Sequence, residues 1–196
     1  FQALDGEGGA RVAYDEGREG GPRGCRGLNV VLFGFMGVGK TTVGKLLAPR
    51  LGYRFVDSDS EAEREAGMRV SEVFAQRGEP AFRALERGVI RRLSRGDGQV
   101  IALGGGAVLD PGNVEELRRT GRMILLTASP EEINLRTRRD NGRLLLAGED
   151  KLTRIRGLLD ERRERYLSAA DMVVDTNGVP PIRVAEAIHG RLEAAP

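Results

Sequence analysis

Gly34-Phe35-Met36-Gly37-Val38-Gly39-Lys40-Thr41 fits the pattern G-x-x-x-x-G-K-[ST] at every fixed position. Just before it, Val30-Val31-Leu32-Phe33 is a continuous apolar run, as expected of a strand buried on both faces. Just after it, Val43, Leu46, Leu47 and Leu51 fall on one face of a helix. Strand, glycine-rich turn and helix together make a phosphate cradle. The glycines let the backbone close around oxygen atoms, and the helix start adds unpaired N–H groups and partial positive charge. In such a cradle Lys40 reaches β- and γ-phosphates and the Thr41 hydroxyl ligates Mg²⁺, while Gly37, Val38, Gly39 and Thr42 complete the nucleotide contacts. The motif by itself does not separate a kinase from a GTPase or a motor ATPase.

Outward from this loop, strand-like and helix-like segments alternate. Strands are expected at 53–56, 100–103, 123–127 and 172–175. Helices are expected at 60–66, 71–76, 80–94, 111–119, 130–138, 152–167 and 182–192. That alternation predicts an α/β fold with a parallel sheet and helices on both faces. Residues 1–27 differ. Eight of them are glycine, charges of both signs are scattered, and the stretch reads as a flexible extension ahead of a domain at 28–196. It has no apolar core of a signal peptide. The chain begins at Phe1, so a processed product or the end of a longer fused polypeptide is an expectation.

Composition narrows the chemistry. The chain has 196 residues, 31 basic and 29 acidic, for a formal charge of +2. That balance gives no basic surface for nucleic acid. Its apolar runs are too short to span a membrane. A single cysteine, Cys25, and a single histidine, His189, leave no internal disulfide, no cysteine-rich metal site and little room for histidine-based nucleophilic catalysis.

Several polar residues stand where strands end. Asp57-Ser58-Asp59 closes the second strand of the domain, with both carboxylates on one side at the sheet edge where α/β folds bind ligands. One carboxylate could hold Mg²⁺ through water and the other accept a proton from an alcohol; a helix cap by Asp59 or Ser60 is the competing reading. Arg83 and Glu86 share a helix face, and spacing alone favours a surface ion pair. Gly104-Gly105-Gly106 follows a strand directly, which suits either close backbone approach to a ligand or a plain loop. At about 100° per residue, Arg162 lies on the inward stripe with Ile155 and Tyr166, whereas Arg163 and Arg165 point aside. An inward arginine needs an anion, from a substrate carboxylate or a structural salt bridge. Arg136, Arg138, Arg139 and Arg143 flank a weakly patterned segment at 140–150, a candidate for closure over phosphates.

From Leu28 onward these pieces together resemble shikimate kinases. The matching segments, in order, are GFMGVGKTTVGKLLA, FVDSD, GEPAFRALE, GGGAVL, LRTRRDNGRLLL, a helix ending RRERY, and AADMVVDTN. The resemblance implies a P-loop kinase three-layer sandwich, with a five-stranded parallel sheet of order 2-3-1-4-5 and a mobile lid at about 139–152. It implies ATP as co-substrate, Mg²⁺ as metal, and transfer of the γ-phosphoryl group to the 3-hydroxyl of shikimate. By position, Lys40 and Thr41 match the phosphate and Mg²⁺ ligands, and Asp57 the acidic residue holding Mg²⁺ through water. Asp59 matches the contact to the shikimate hydroxyl and the base. Arg83 and Arg162 match the carboxylate clamp, and Gly104, Gly105 and Gly106 the loop against shikimate. Arg143 matches the lid arginine, Arg136 the arginine at the adenine, and 177–181 the loop on its other side.

Two positions depart from the family pattern. Leu144 stands where the lid usually carries proline, and Glu164 where the arginine-bearing helix does. These departures keep one rival in view, a paralogue acting on another hydroxylated acceptor, and the glycine-rich leader with a first residue other than Met keeps a second, a non-catalytic nucleotide-binding domain of a longer protein. The expectation is a cytoplasmic, monomeric enzyme of a small-molecule substrate, with no nucleic-acid or membrane partner.

Overall fold

The computed structural model describes residues 2–4, 10–14, 27–138 and 150–194. Its sheet is built from β1 (Gln2–Leu4), β2 (Val12–Tyr14), β3 (Asn29–Phe33), β4 (Arg54–Asp57), β5 (Gln99–Ala102), β6 (Gly121–Thr127) and β7 (Met172–Asp175). Strand order across the sheet is β1-β2-β7-β6-β3-β5-β4. The five strands from β3 onward pair in parallel, β4 on β5, β5 and β6 on β3, and β7 on β6. Numbered from β3, their order is the expected 2-3-1-4-5.

The sheet has seven strands rather than five, and the two extra come from the glycine-rich leader. β1 and β2 form an antiparallel pair, and β2 lies antiparallel on β7 with Val12 opposite Val174. The expectation of a wholly flexible extension therefore does not hold at these residues. Ala10 and Val12 are buried against the core, and the Asp175 amide donates to the Arg11 carbonyl at 2.9 Å. Two apolar side chains and an otherwise unpaired strand edge suffice to order the segment.

Every residue of β3 and β5 is buried: Val30–Phe33 and Val100–Ala102 are continuous apolar runs, and Asn29 and Gln99 at the strand starts hydrogen-bond to each other. Helices cover both faces. α1 (Lys40–Leu51) packs on α7 (Pro181–Ala194) over β3, β4 and β5. On the other side α3 (Val70–Ser94), α4 (Pro111–Arg118) and α6 (Lys151–Ala169) form a layer, with α4 and α6 on β6. Two short helices, α2 (Ser58–Ala66) and α5 (Pro130–Arg136), start at the sheet edge. α3 is two helices joined at a kink. Gly78, at φ 79° and ψ 169°, interrupts it, which agrees with separate helices at 71–76 and 80–94. α6 runs unbroken through Glu164, an exposed residue that keeps the backbone N–H a proline would lack. No helix among the described residues is long and apolar enough to cross a membrane.

Candidate active site

The C-terminal ends of the parallel strands open into one cleft of about 1250 Å³. On one side lies the loop after β3. Gly37 and Gly39 take φ values of +80° and +99°, which side-chain-bearing residues rarely adopt. Gly37 is also hemmed in, because a Cβ there would stand 2.8 Å from Thr137 Cγ2. Lys40 Nζ donates to the Gly34 and Phe35 carbonyls at 3.0 and 2.9 Å, which holds the ammonium across the loop. Val38 and Thr42 line the same wall. Arg136 closes the back of this side. Its Nη1 donates to Thr176 Oγ1 at 3.0 Å, its Nη2 to the Thr176 carbonyl at 2.6 Å, and its Nε to Glu132 at 2.8 Å. Gly178, Val179 and Pro180, from the loop after β7, line the cleft beside it.

Asp57 joins the two halves. Its Oδ2 accepts from the Thr41 hydroxyl at 3.0 Å, and its Oδ1 accepts from the Asp59 and Ser60 amides at 3.1 and 3.3 Å. The cap of α2 is therefore Asp57 itself, not Asp59 or Ser60. Asp59, in the first turn of α2, lines the cleft. The pair of oxygens on Thr41 and Asp57, next to a phosphate loop, suits a hard divalent cation that takes its other ligands from phosphate and water.

The opposite wall carries the arginines. Arg83 Nη1 donates to Glu86 Oε2 at 2.8 Å, while Nε and Nη2 donate to Glu79 Oε1 at 3.2 and 3.0 Å. Glu86 is only 4% exposed, so this is no surface pair. Its burial in an apolar helix face was hidden from i,i+3 spacing. Burial pushes the Glu86 carboxyl above its ordinary value, against the hydrogen bond and charge of Arg83. Burial acts to lower Arg83, but its bonds and charge attraction to Glu86 and Glu79 hold it above its ordinary value. Arg162 is 8% exposed and its guanidinium lies 5.7 Å from the Phe35 ring centre. Its Nε is buried with no hydrogen-bond partner. The helical-angle reading is thus correct: Arg162 points in, and Arg163 and Arg165 are exposed. One turn on, Tyr166 is raised by burial and eased by Arg162, and its hydroxyl donates to the Gly105 carbonyl at 2.6 Å.

The three glycines sit between these walls, and close approach explains two of them. A Cβ on Gly104 would collide with Asp59 Oδ1, and one on Gly106 would stand 2.8 Å from both Nη1 and Nη2 of Arg83. Gly104 N also donates to Ser58 Oγ at 2.9 Å, tying the loop to the start of α2.

A family model described as shikimate kinase matches residues 36–193. The chain belongs to the shikimate kinase family. It is 46% identical over 160 residues to the shikimate kinase of Caldanaerobacter subterraneus subsp. tengcongensis, covering 82% of this chain and 93% of that one. It is 49% identical over 152 residues to that of Symbiobacterium thermophilum, covering 76% and 87%. Among solved structures, shikimate kinase from Acinetobacter baumannii in complex with shikimate aligns with a TM-score of 0.82 at 36% identity, covering 85% of this chain and 93% of that chain.

Of the residues expected from sequence in this family member, Lys40, Thr41, Asp57, Asp59, Arg83, Gly104, Gly105, Gly106, Arg136 and Arg162 all meet in the one cleft. Arg143, and the lid expected around it, lie outside the described residues. Sequence reading missed Glu79 beside Arg83, Thr176 behind Arg136, and Tyr166 on the Gly105 carbonyl. The first had a signal, since Glu79 is four residues from Arg83 on one helix face. The other two are long-range contacts with none.

Proposed function

We propose that this protein transfers the γ-phosphoryl group of ATP to the 3-hydroxyl of shikimate, giving shikimate 3-phosphate and ADP. The observation that carries this reading is the convergence of two arginines, Arg83 and Arg162, and one carboxylate, Asp59, on a single cleft that opens onto the phosphate loop. Arginine forks suit the carboxylate of a small acid. Asp59 suits the hydroxyl that is to be phosphorylated.

Chemically, the shikimate oxygen bonds to the γ-phosphorus, the bond to the ADP oxygen breaks, and the hydroxyl proton passes to Asp59. Lys40 and the loop amides around Gly37 and Gly39 hold the β- and γ-phosphates in line and offset the charge on the transferring group. Gly104 and Gly106 let the ligand wall approach Asp59 and Arg83 without intervening side chains. Arg136 fixes the nucleotide-side wall. Thr41 and Asp57 would hold Mg²⁺, which supplies charge neutralisation at the phosphates. Arg143 is assigned the lid role that its family position implies. The same reading makes the protein a cytoplasmic monomer with no nucleic-acid or membrane partner.

The test is release of ADP from Mg-ATP, compared across shikimate, quinate, gluconate and no acceptor. The proposal expects robust release with shikimate alone. Turnover of a different acceptor would favour a paralogue. ATP binding with no transfer to any of them would favour a non-catalytic module.

A further inference from the structure

The Arg83 guanidinium already has carboxylate partners on two sides, and the two differ in kind. Glu86 holds Nη1 from a buried position, at 4% exposure. Glu79 spans Nε and Nη2 with one oxygen and is 63% exposed. Nε and Nη2 form the fork edge from which a bidentate carboxylate pair is made. The other edge, Nη1 with Nη2, lies against the Gly106 backbone. An incoming carboxylate therefore meets Glu79 on the accessible edge. The pair with an exposed glutamate is weak, because water competes for both partners. The pair with buried Glu86 cannot be given up without stranding a charge. Glu79 also follows Gly78, the break in α3, so its carboxylate leaves Arg83 without unwinding either helical half.

We propose that Glu79 is a resident ligand of Arg83 that the substrate carboxylate displaces, which makes it a residue that sets specificity for acids. This rests on the reading of Arg83 as the carboxylate clamp. A ligand with a carboxylate exchanges one ion pair for another, better oriented one. A ligand without a carboxylate either leaves Glu79 in place or breaks the pair for no return, and is selected against. The cost falls on affinity: the enzyme binds its acid more weakly than the clamp alone allows.

The direction of the effect separates this role from a merely supporting one. Calorimetric titration of the full chain with shikimate, with its methyl ester and with ATP, for wild type and Glu79→Gln, reads it. The shikimate Kd should fall about two- to fivefold, the range an exposed ion pair commands. Binding of the methyl ester and of ATP should not tighten. A shikimate Kd that stays the same or rises would overturn the proposal, since a glutamate that props the clamp must weaken binding when removed. Arg83→Ala supplies the control: it should weaken shikimate binding, and adding Glu79→Gln to it should give no gain. If Arg83→Ala leaves shikimate binding unchanged, the clamp reading fails and this proposal with it. If Arg83→Ala weakens binding but Glu79→Gln does not tighten it, only the role of Glu79 fails.

Discussion

Gly104 lacks a side chain because Asp59 needs the space. Its backbone amide is held by Ser58, and a methyl group there would push into the Asp59 carboxylate. Gly104→Ala should therefore displace Asp59, the proposed base, rather than unfold the protein. We expect kcat to fall about a hundredfold with the ATP KM little changed, since a misplacement near 1 Å has that effect. Asp59→Asn should lower kcat by at least about a hundredfold, the usual contribution of a positioned base, and also spare ATP binding. Steady-state kinetics with both substrates varied checks each variant, and equal loss of ATP affinity would count against the role of Asp59. Glu86 gives a pH prediction. Its carboxyl is raised in the folded state chiefly by burial, so the fold binds that proton more tightly than the unfolded chain does. The resulting stability is fully present below the unfolded value and is lost as pH rises through the folded one. Wild type should thus lose stability relative to Glu86→Gln as pH rises from the ordinary glutamate range, a trend read by denaturant melts at a series of pH values.

At the scale of elements, α3 and α6 show what the sequence holds and where it stops. The inward position of Arg162 follows from helical geometry alone, because a 100° step fixes which residues share a stripe with Ile155 and Tyr166. The division of α3 follows from Gly78-Glu79-Pro80, where glycine and proline both oppose a continuous helix. Gly78 sits at φ 79°, a region costly for any other residue. Gly78→Ala should then destabilise the fold by about 1–3 kcal/mol, read as a shift of the denaturant midpoint, and an unchanged midpoint would contradict the strain assigned there. The phosphate loop was legible because its spacing and flanking elements agree. The burial of Glu86 was not, because it depends on what packs over α3. The anchoring of Arg136 by Thr176 was not either, because it joins residues 40 positions apart. In the leader, Val12-Ala13-Tyr14 is a β-prone triplet, but three residues among glycines carry too little pattern to predict a strand.

Across the whole molecule, the ends of four parallel strands converge on a common mouth. β3 leads into the phosphate loop, β4 into Asp57 and Asp59, β5 into the three glycines, and β7 into the loop beside Arg136. Helices supply the arginines, Arg83 from α3, Arg136 from α5 and Arg162 from α6. β2 closes the free edge of β7 by main-chain pairing, and none of the described residues of the leader lines the mouth. The molecule carries little net charge, +2 overall, so the proposed function assigns recognition of two anionic substrates to the local arginines and Lys40 rather than to a general field. On the proposed function, this mouth passes the γ-phosphoryl group of ATP to the 3-hydroxyl of shikimate and releases ADP. Phosphorus NMR of the product formed from ATP and shikimate tests it most directly. One new phosphomonoester resonance, coupled to the proton on carbon 3, should appear in step with ADP. A monoester on another hydroxyl, or ADP with inorganic phosphate alone, would contradict it.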